Sequence, residues 1–215
     1  MNETILYVGG SKGGVGKSKL SFALIDYLIG NRKKVLLLET DTSNPDTYKA
    51  HHPHENDSLV CKIIDLDVSE GWIKLVNYAD KFPEHVVVIN SAARSNTGIT
   101  KYGEMLRETL GELDRELVTF WMLNRQRDSL ELLRGFLNSF PDALIYACRN
   151  MYFGHALSGC AWNENYFVRS FLQYNDAFEI LLFGDFLGKK HPELLRERMP
   201  LCLKNTGGSL WLRKK

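Results

Sequence analysis

The sequence predicts an α/β domain with a mostly parallel central sheet and helices on both faces. Three observations lead there. Short runs of Val, Ile and Leu recur along the chain, at the length of strands buried on both sides. Stretches with the apolar spacing of amphipathic helices separate those runs. A glycine-rich segment, Ser11 to Ser18, lies where the first run gives way to the first helical stretch. Alternation of strand and helix is the pattern of βαβ units, because parallel neighbours need a covering crossover.

Taken in order, Ile5–Val8 is a continuous apolar run and the first strand. Lys17–Asn31 follows as a helix, its apolar period running from Leu20 to Ile29. Lys34–Glu39 carries four consecutive apolar residues and is the second strand. Val60–Asp65 is a further strand candidate. Glu70–Lys81 reads as a helix, and Val86–Asn90 is a strand of the most buried kind. Tyr102–Leu113 is helical, Val118–Leu123 a strand, Ser129–Phe140 helical and Ala143–Cys148 a strand. Tyr166–Tyr174 and Glu193–Arg198 are the last helices and flank the strand Glu179–Phe183. No low-complexity linker or internal repeat interrupts the 215 residues, so a single domain over 1–215 is expected.

Bulk properties exclude several classes. The net charge of +1 gives no basic field that would announce nucleic acid. The four cysteines (Cys61, Cys148, Cys160 and Cys202) form no C-x-x-C pair. Cys61 and Cys148 sit in apolar segments and read as core thiols, which suits a reducing cytoplasm. His51, His52 and His54 fall in a polar stretch and read as a solvated loop rather than a zinc site. No leader is expected, because Met1 runs directly into a strand. No apolar run reaches membrane-spanning length.

The segment S-K-G-G-V-G-K-S carries the chemistry. A glycine-rich turn between a strand and a helix points backbone N–H groups at an anion, and the helix N-terminus adds its positive end. The expected phosphate-binding stretch is Lys12, Gly13, Gly14, Val15, Gly16, Lys17, Ser18 and Lys19. The nucleotide expected is ATP or ADP: Lys17 reaches the β- and γ-phosphates of ATP, or the β-phosphate of ADP, and the Ser18 hydroxyl ligates Mg²⁺. The general pattern of a phosphate loop wants glycine at position 11. This chain has serine there, with a second lysine, Lys12, directly after it.

That departure resembles the deviant Walker A motif of the ParA/MinD ATPases, which are P-loop NTPases of the SIMIBI type. The resemblance covers most of residues 1–188. It implies that Lys12 reaches across an ATP-dependent homodimer to the partner's phosphates. The second strand ends Leu38-Glu39-Thr40-Asp41. Asp41 matches the family's aspartate that helps place Mg²⁺ and the attacking water; read without the resemblance, it is a turn-forming residue before Thr42, Ser43, Asn44 and Pro45. Glu39 stands where the family has aspartate. Asn90 ends the third main strand where the family has an acid. An amide accepts a hydrogen bond from a metal-bound water but carries no charge, so weaker Mg²⁺ holding or slower turnover is expected. Arg94 and Ser95 fall in the implied switch segment.

The resemblance also implies an adenine pocket lined by Asn124 and Asn150, with Gly184-Asp185 as a weaker contributor. Asn124 reads equally as a strand-to-loop cap. The segments Leu123 to Ser129 and Arg149 to Gly154 look like those of StbB/TraL-type proteins of conjugative plasmids. The function implied is an ATP-dependent dimerisation switch with slow hydrolysis, acting with an adaptor or DNA-bound partner in plasmid partition or transfer. A metabolic or maturation enzyme on the same loop is one alternative. A nucleotide-binding module with little hydrolysis is another. Lys189, Lys190, Arg196, Arg198 and the tail Leu210 to Lys215 offer non-specific DNA contact or an ordinary solvated end. The tail is too short for strong membrane contact.

Overall fold

The computed structural model describes residues 3–10, 12–93, 96–123, 128–141, 143–149 and the strand 179–182. The chain runs β1 (Ile5–Gly10), α1 (Lys17–Gly30), β2 (Lys34–Glu39), α2 (Asp46–His51), β3 (Leu59–Ile63), α3 (Ser69–Lys81), β4 (His85–Asn90), α4 (Asn96–Thr109), β5 (Leu117–Leu123), α5 (Asp128–Ser139), β6 (Leu144–Arg149) and β7 (Glu179–Leu182). One seven-stranded sheet results, ordered β3-β2-β4-β1-β5-β6-β7. Every pairing in it is parallel.

The alternation of side chains along each strand divides the core in two. Ile5 and Tyr7 of β1, Leu36 and Leu38 of β2, Val87 and Ile89 of β4 and Trp121 of β5 face one side. There they pack with Trp72 and Leu75 of α3, Ile99 and Leu106 of α4, and Leu133 and Phe136 of α5. The residues between them, such as Val8, Leu37, Val88 and Phe120, face the other side. Leu20, Leu24, Ile25 and Leu28 of α1 cover that face. The inner strands are therefore apolar on both faces over most of their length, which is why they read as continuous runs rather than alternating ones.

Two expectations need correction. The stretch holding His51, His52 and His54 is not a loop: His51 ends the helix α2, Asp46–His51, and His52–His54 form a 3₁₀ turn. Asp46 stands in the first turn, where an acid suits the helix dipole, and Tyr48 packs on the core. The helix is too short for its period to register. His51 stacks on Phe22 and His52 on Tyr48, while His52 also pairs with Glu55 at 2.6 Å. Among the described residues no cluster of three metal-ligating side chains occurs. Second, α4 starts at Asn96 rather than Tyr102. Packing overrides propensity there: Ile99 is buried, and Gly98 meets the backbone of Leu66. Tyr166–Tyr174 and Glu193–Arg198 lie outside the described residues, as do Cys160 and Cys202. Cys61 and Cys148 are buried thiols, each pushed up to about 12 chiefly by burial. No helix among the described residues is long and apolar enough to cross a membrane.

At the edge of the sheet opposite the glycine loop, Arg115 ties the elements together. Its guanidinium donates to Ala79 O at 2.9 Å and Phe82 O at 2.7 Å, closing the C-terminus of α3. It also donates to His85 O at 2.9 Å and to Glu3 O. Burial holds the neighbouring His85 imidazolium below the ordinary histidine range, and the Lys34 and Arg115 cations add to it, against an opposing Glu84. The unfolded chain then binds this proton more readily than the fold does. Stability is full above the ordinary histidine value and falls as pH drops through it, by at most about 1.4 kcal/mol per pH unit for this one group. Urea midpoints at about pH 7.5 and about pH 5.5 should fall less for His85→Phe than for the parent. Equal losses would exclude His85 as the source.

Candidate functional site

The strand order places three carboxyl ends side by side. Glu39 on β2 pairs in register with Asn90 on β4, and Asn90 pairs with Val8 on β1. The glycine loop leaves β1 at this edge, where open parallel sheets bind their ligands.

Within the loop, Val15 is 2 % exposed and packs with Val8, Leu20 and Leu24, so it anchors the turn to the sheet. Gly14 and Gly16 have φ of +78° and +108°, the left-handed region where a side chain is strained. At Gly14 a Cβ would meet no protein atom within 4 Å, so the backbone rather than packing demands glycine. Gly16 precedes α1 and no side chain caps that helix. The first N–H groups of α1 thus lack the usual hydroxyl or carboxylate acceptor and suit an anion. Lys12, Gly13, Gly14 and Lys19 are exposed, and Ser18 is half-buried.

Lys17 is buried, and its ammonium donates to the carbonyl of Lys12 at 2.9 Å. Burial lowers it to about 8, against the pull of the Asp41 and Glu39 carboxylates. Asp41 is half-buried at the end of β2. Its Oδ1 accepts from Ser43 Oγ at 2.9 Å and from the Asn44 N–H at 3.0 Å. The turn reading of Asp41 is compatible with the site reading, because the turn holds its carboxylate at the carboxyl end of β2, on the same side of the sheet as the glycine loop.

Sequence reasoning left Glu39 without a firm role, and the geometry gives it one. Glu39 is fully buried. The Asn90 amide donates to both of its oxygens at 3.0 Å, and the Asp41 N–H donates to one at 3.0 Å. Burial raises the Glu39 carboxyl above its usual range, while the Asp41 N–H, Asn90 and Thr47 hydrogen bonds oppose that rise. Asn90 Oδ1 accepts from Ser21 Oγ at 3.0 Å, and Nδ2 lies 3.1 Å from Thr47 Oγ1 and 3.4 Å from Ser18 Oγ. Both ends of the amide are engaged within the protein. Asn90 is thus a bridge between β2 and α1, not a residue aimed outward at a metal-bound water. Ser21 and Thr47 also went unnoticed. Ser21 lies one turn beyond Lys17 on the same face of α1, a spacing that would have found it. Thr47 depends on the unforeseen α2.

The donors present suit Mg²⁺. The Ser18 hydroxyl and the Glu39 and Asp41 carboxylates are hard oxygens, and this ion binds through one or two carboxylates plus substrate phosphates. Asn124, Asn150, Arg94 and Asp185 lie outside the described residues.

A β-strand, a left-handed glycine turn, a helix without a side-chain cap and acids at the adjoining strand end together define a P-loop nucleotide-binding domain. The chain belongs to the CobQ/CobB/MinD/ParA nucleotide binding domain family, whose model matches residues 6–139. It is 51% identical over 154 residues to Protein MobD of Acidithiobacillus ferrooxidans, covering 72% of this chain and 66% of that protein, just under two thirds of its length. Among solved structures it is similar to the cell division protein FtsY of Thermotoga maritima, at 14% identity and a TM-score of 0.48, covering 69% of this chain and 53% of that one. It is also similar to the MinD cell division protein of Aquifex aeolicus, at 17% identity and a TM-score of 0.43, covering 68% of each. Neither structural likeness bears on chemistry.

Proposed function

We propose that this chain is an ATP-dependent dimerisation switch with slow hydrolysis, acting in plasmid DNA partition, positioning or conjugative transfer. The observation that carries the reading is the opposed placement of two lysines in one loop. Lys17 is buried against its own loop carbonyl, whereas the Lys12 side chain is exposed at the loop's entrance. One lysine serves the protomer's own nucleotide, and the other is presented to a facing surface. Family membership supports nucleotide binding, and the likeness to Protein MobD supports a plasmid-related role.

In this reading the loop N–H groups from Gly13 to Lys19 cradle the phosphates, and Lys17 neutralises the β/γ oxygens. Ser18 and Asp41 would hold Mg²⁺, which when bound would offset phosphate charge. Asp41 orients the attacking water. Lys12 of each protomer faces the other's γ-phosphate, so ATP favours the paired state and hydrolysis releases it. Asn124 and Asn150 hold the adenine. An adaptor or DNA-bound partner reads the dimer.

Light scattering with and without ATP–Mg²⁺ tests this. The parent should double its mass with ATP, and Lys12→Ala should bind ATP but stay monomeric. A Lys12→Ala chain that pairs as the parent does would remove the switch reading. The neutral Asn90 supports a second reading, a nucleotide-binding module with little turnover. Phosphate release at the rate of blank ATP would favour it.

A further inference from the structure

We propose that Glu39, clamped by Asn90, supplies the negative charge toward the metal that the end of β4 lacks, so that the acid of this site stands on β2. The inference rests on the nucleotide-site reading above and adds to it which residue carries the charge.

Four observations converge on Glu39. It ends a strand whose other inward residues are apolar, and it is fully buried. An ionised carboxylate there is costly unless its charge is used or compensated. Compensation is arranged without neutralising it: the Asn90 amide and the Asp41 N–H all donate, and donors of this kind favour the ionised form. A glutamine would fill the same volume, but its NH₂ would oppose one of these donors. With the Asn90 Oδ1 turned to Ser21 Oγ, the clamp as it stands suits a carboxylate.

The charge also lies where a cation would feel it. Glu39 acts on the Lys17 ammonium through space. The amide that grips it, Asn90 Nδ2, lies 3.4 Å from the Ser18 hydroxyl, the expected metal ligand. Register pairing of Glu39 with Asn90 makes the two positions neighbours across one ladder. A carboxylate moved from β4 to β2 at this pair stays within the same few ångströms of Ser18. The longer glutamate side chain spans the strand spacing, and asparagine at position 90 provides the donor that a second acid could not. Aspartate there would instead set two carboxylates 3.0 Å apart, raising the pKa of one of them.

Calorimetric titration of ADP with and without Mg²⁺ provides the test, using the parent, Glu39→Gln and the double variant Glu39→Gln/Asn90→Asp. A second readout is the binding of Mn²⁺ to the ADP-loaded protein by electron paramagnetic resonance. Glu39→Gln should keep metal-free ADP affinity within about 3-fold and lose the tightening by Mg²⁺, with Mn²⁺ weakened by about 10- to 100-fold, the range for an outer-shell carboxylate. The double variant returns the charge to β4 and should recover most of that loss. Equal weakening with and without Mg²⁺ would make Glu39 a counter-ion of Lys17 only and overturn the inference. Unchanged Mg²⁺ and Mn²⁺ dependence in Glu39→Gln would overturn it too, and both results leave the phosphate loop intact. A parent that binds no ADP would sink the nucleotide reading itself, and this inference with it.

Discussion

Lys17→Ala should abolish ATP binding while leaving the fold at least as stable as the parent. Lys17 is the one lysine of the loop that is buried, and it stands at the first position of α1. Its ammonium is held by a single loop carbonyl at 2.9 Å and by the through-space pull of Asp41 and Glu39. Burial wins over these, holding the group at about 8 instead of its ordinary 10.5. The sign follows from linkage. The unfolded chain keeps this proton more tightly than the fold, so below about pH 8 the charged lysine costs the fold something on the order of 3 kcal/mol. The cost fades as pH rises from there toward the unfolded value. A group that opposes folding at neutral pH is explained by an anion that repays it. Phosphate oxygens would gain a charge-assisted contact of about 1.5–3 kcal/mol for each hydrogen bond, so affinity should drop by at least about 100-fold. Calorimetry with ATP and a urea melt at neutral pH check the two halves together. Near-parent affinity would overturn the phosphate-loop assignment. Lost affinity with a collapsed melt would mean that Lys17 serves folding.

The alternation of elements was legible because each inner strand is apolar on both faces, so its run stands out without any partner being known. Lys34–Glu39 was read with the bounds that the structure has, and the other strand bounds differ by a residue or two. The glycine loop was legible because its backbone geometry demands residue types that little else demands. What could not be read was anything set by tertiary contact. α2 is a single short helix, held by Tyr48 on the core and by Thr47 beneath the strand ends. The start of α4 carries Asn96, Thr97 and Gly98, poor helix formers that only the approach to Leu66 makes suitable. The Glu39–Asn90 clamp depends on the β2–β4 pairing, and residues 51 positions apart give no local sign of that. The two residues were each visible as departures from the family's acids. Their mutual contact turns two departures into one arrangement.

Gly71→Ala should destabilise the fold more than any other small substitution among the described glycines. Gly71 is buried in the first turn of α3, and a Cβ there would stand 1.6 Å from the carbonyl oxygen of Asp65 and 2.4 Å from its carbon. The obstacle is backbone, so no rotamer change relieves it. The strap at 65–67 is held on both sides. Trp72, 1 % exposed, donates its indole N–H to Leu66 O at 2.8 Å, and Gly98 of α4 brings its own missing Cβ within 1.9 Å of the same Leu66 oxygen. Moving the strap to admit a methyl group would break the indole bond, shift the buried Leu66 and press on α4. Helix propensity favours alanine by about 1 kcal/mol, whereas overpacking costs about 1–3 kcal/mol and more where backbone must move. A net loss of about 3 kcal/mol is expected. Gly135→Ala is the internal control, because it also lies in a helix but a Cβ there meets no protein atom within 4 Å. It should be neutral or stabilising by up to about 1 kcal/mol. Urea midpoints of the two variants, with the slope unchanged, decide the matter. If Gly71→Ala melts with Gly135→Ala, the 65–67 backbone yields freely, and the close approach of α3 and α4 to it is not what fixes the connection from β3 to α3.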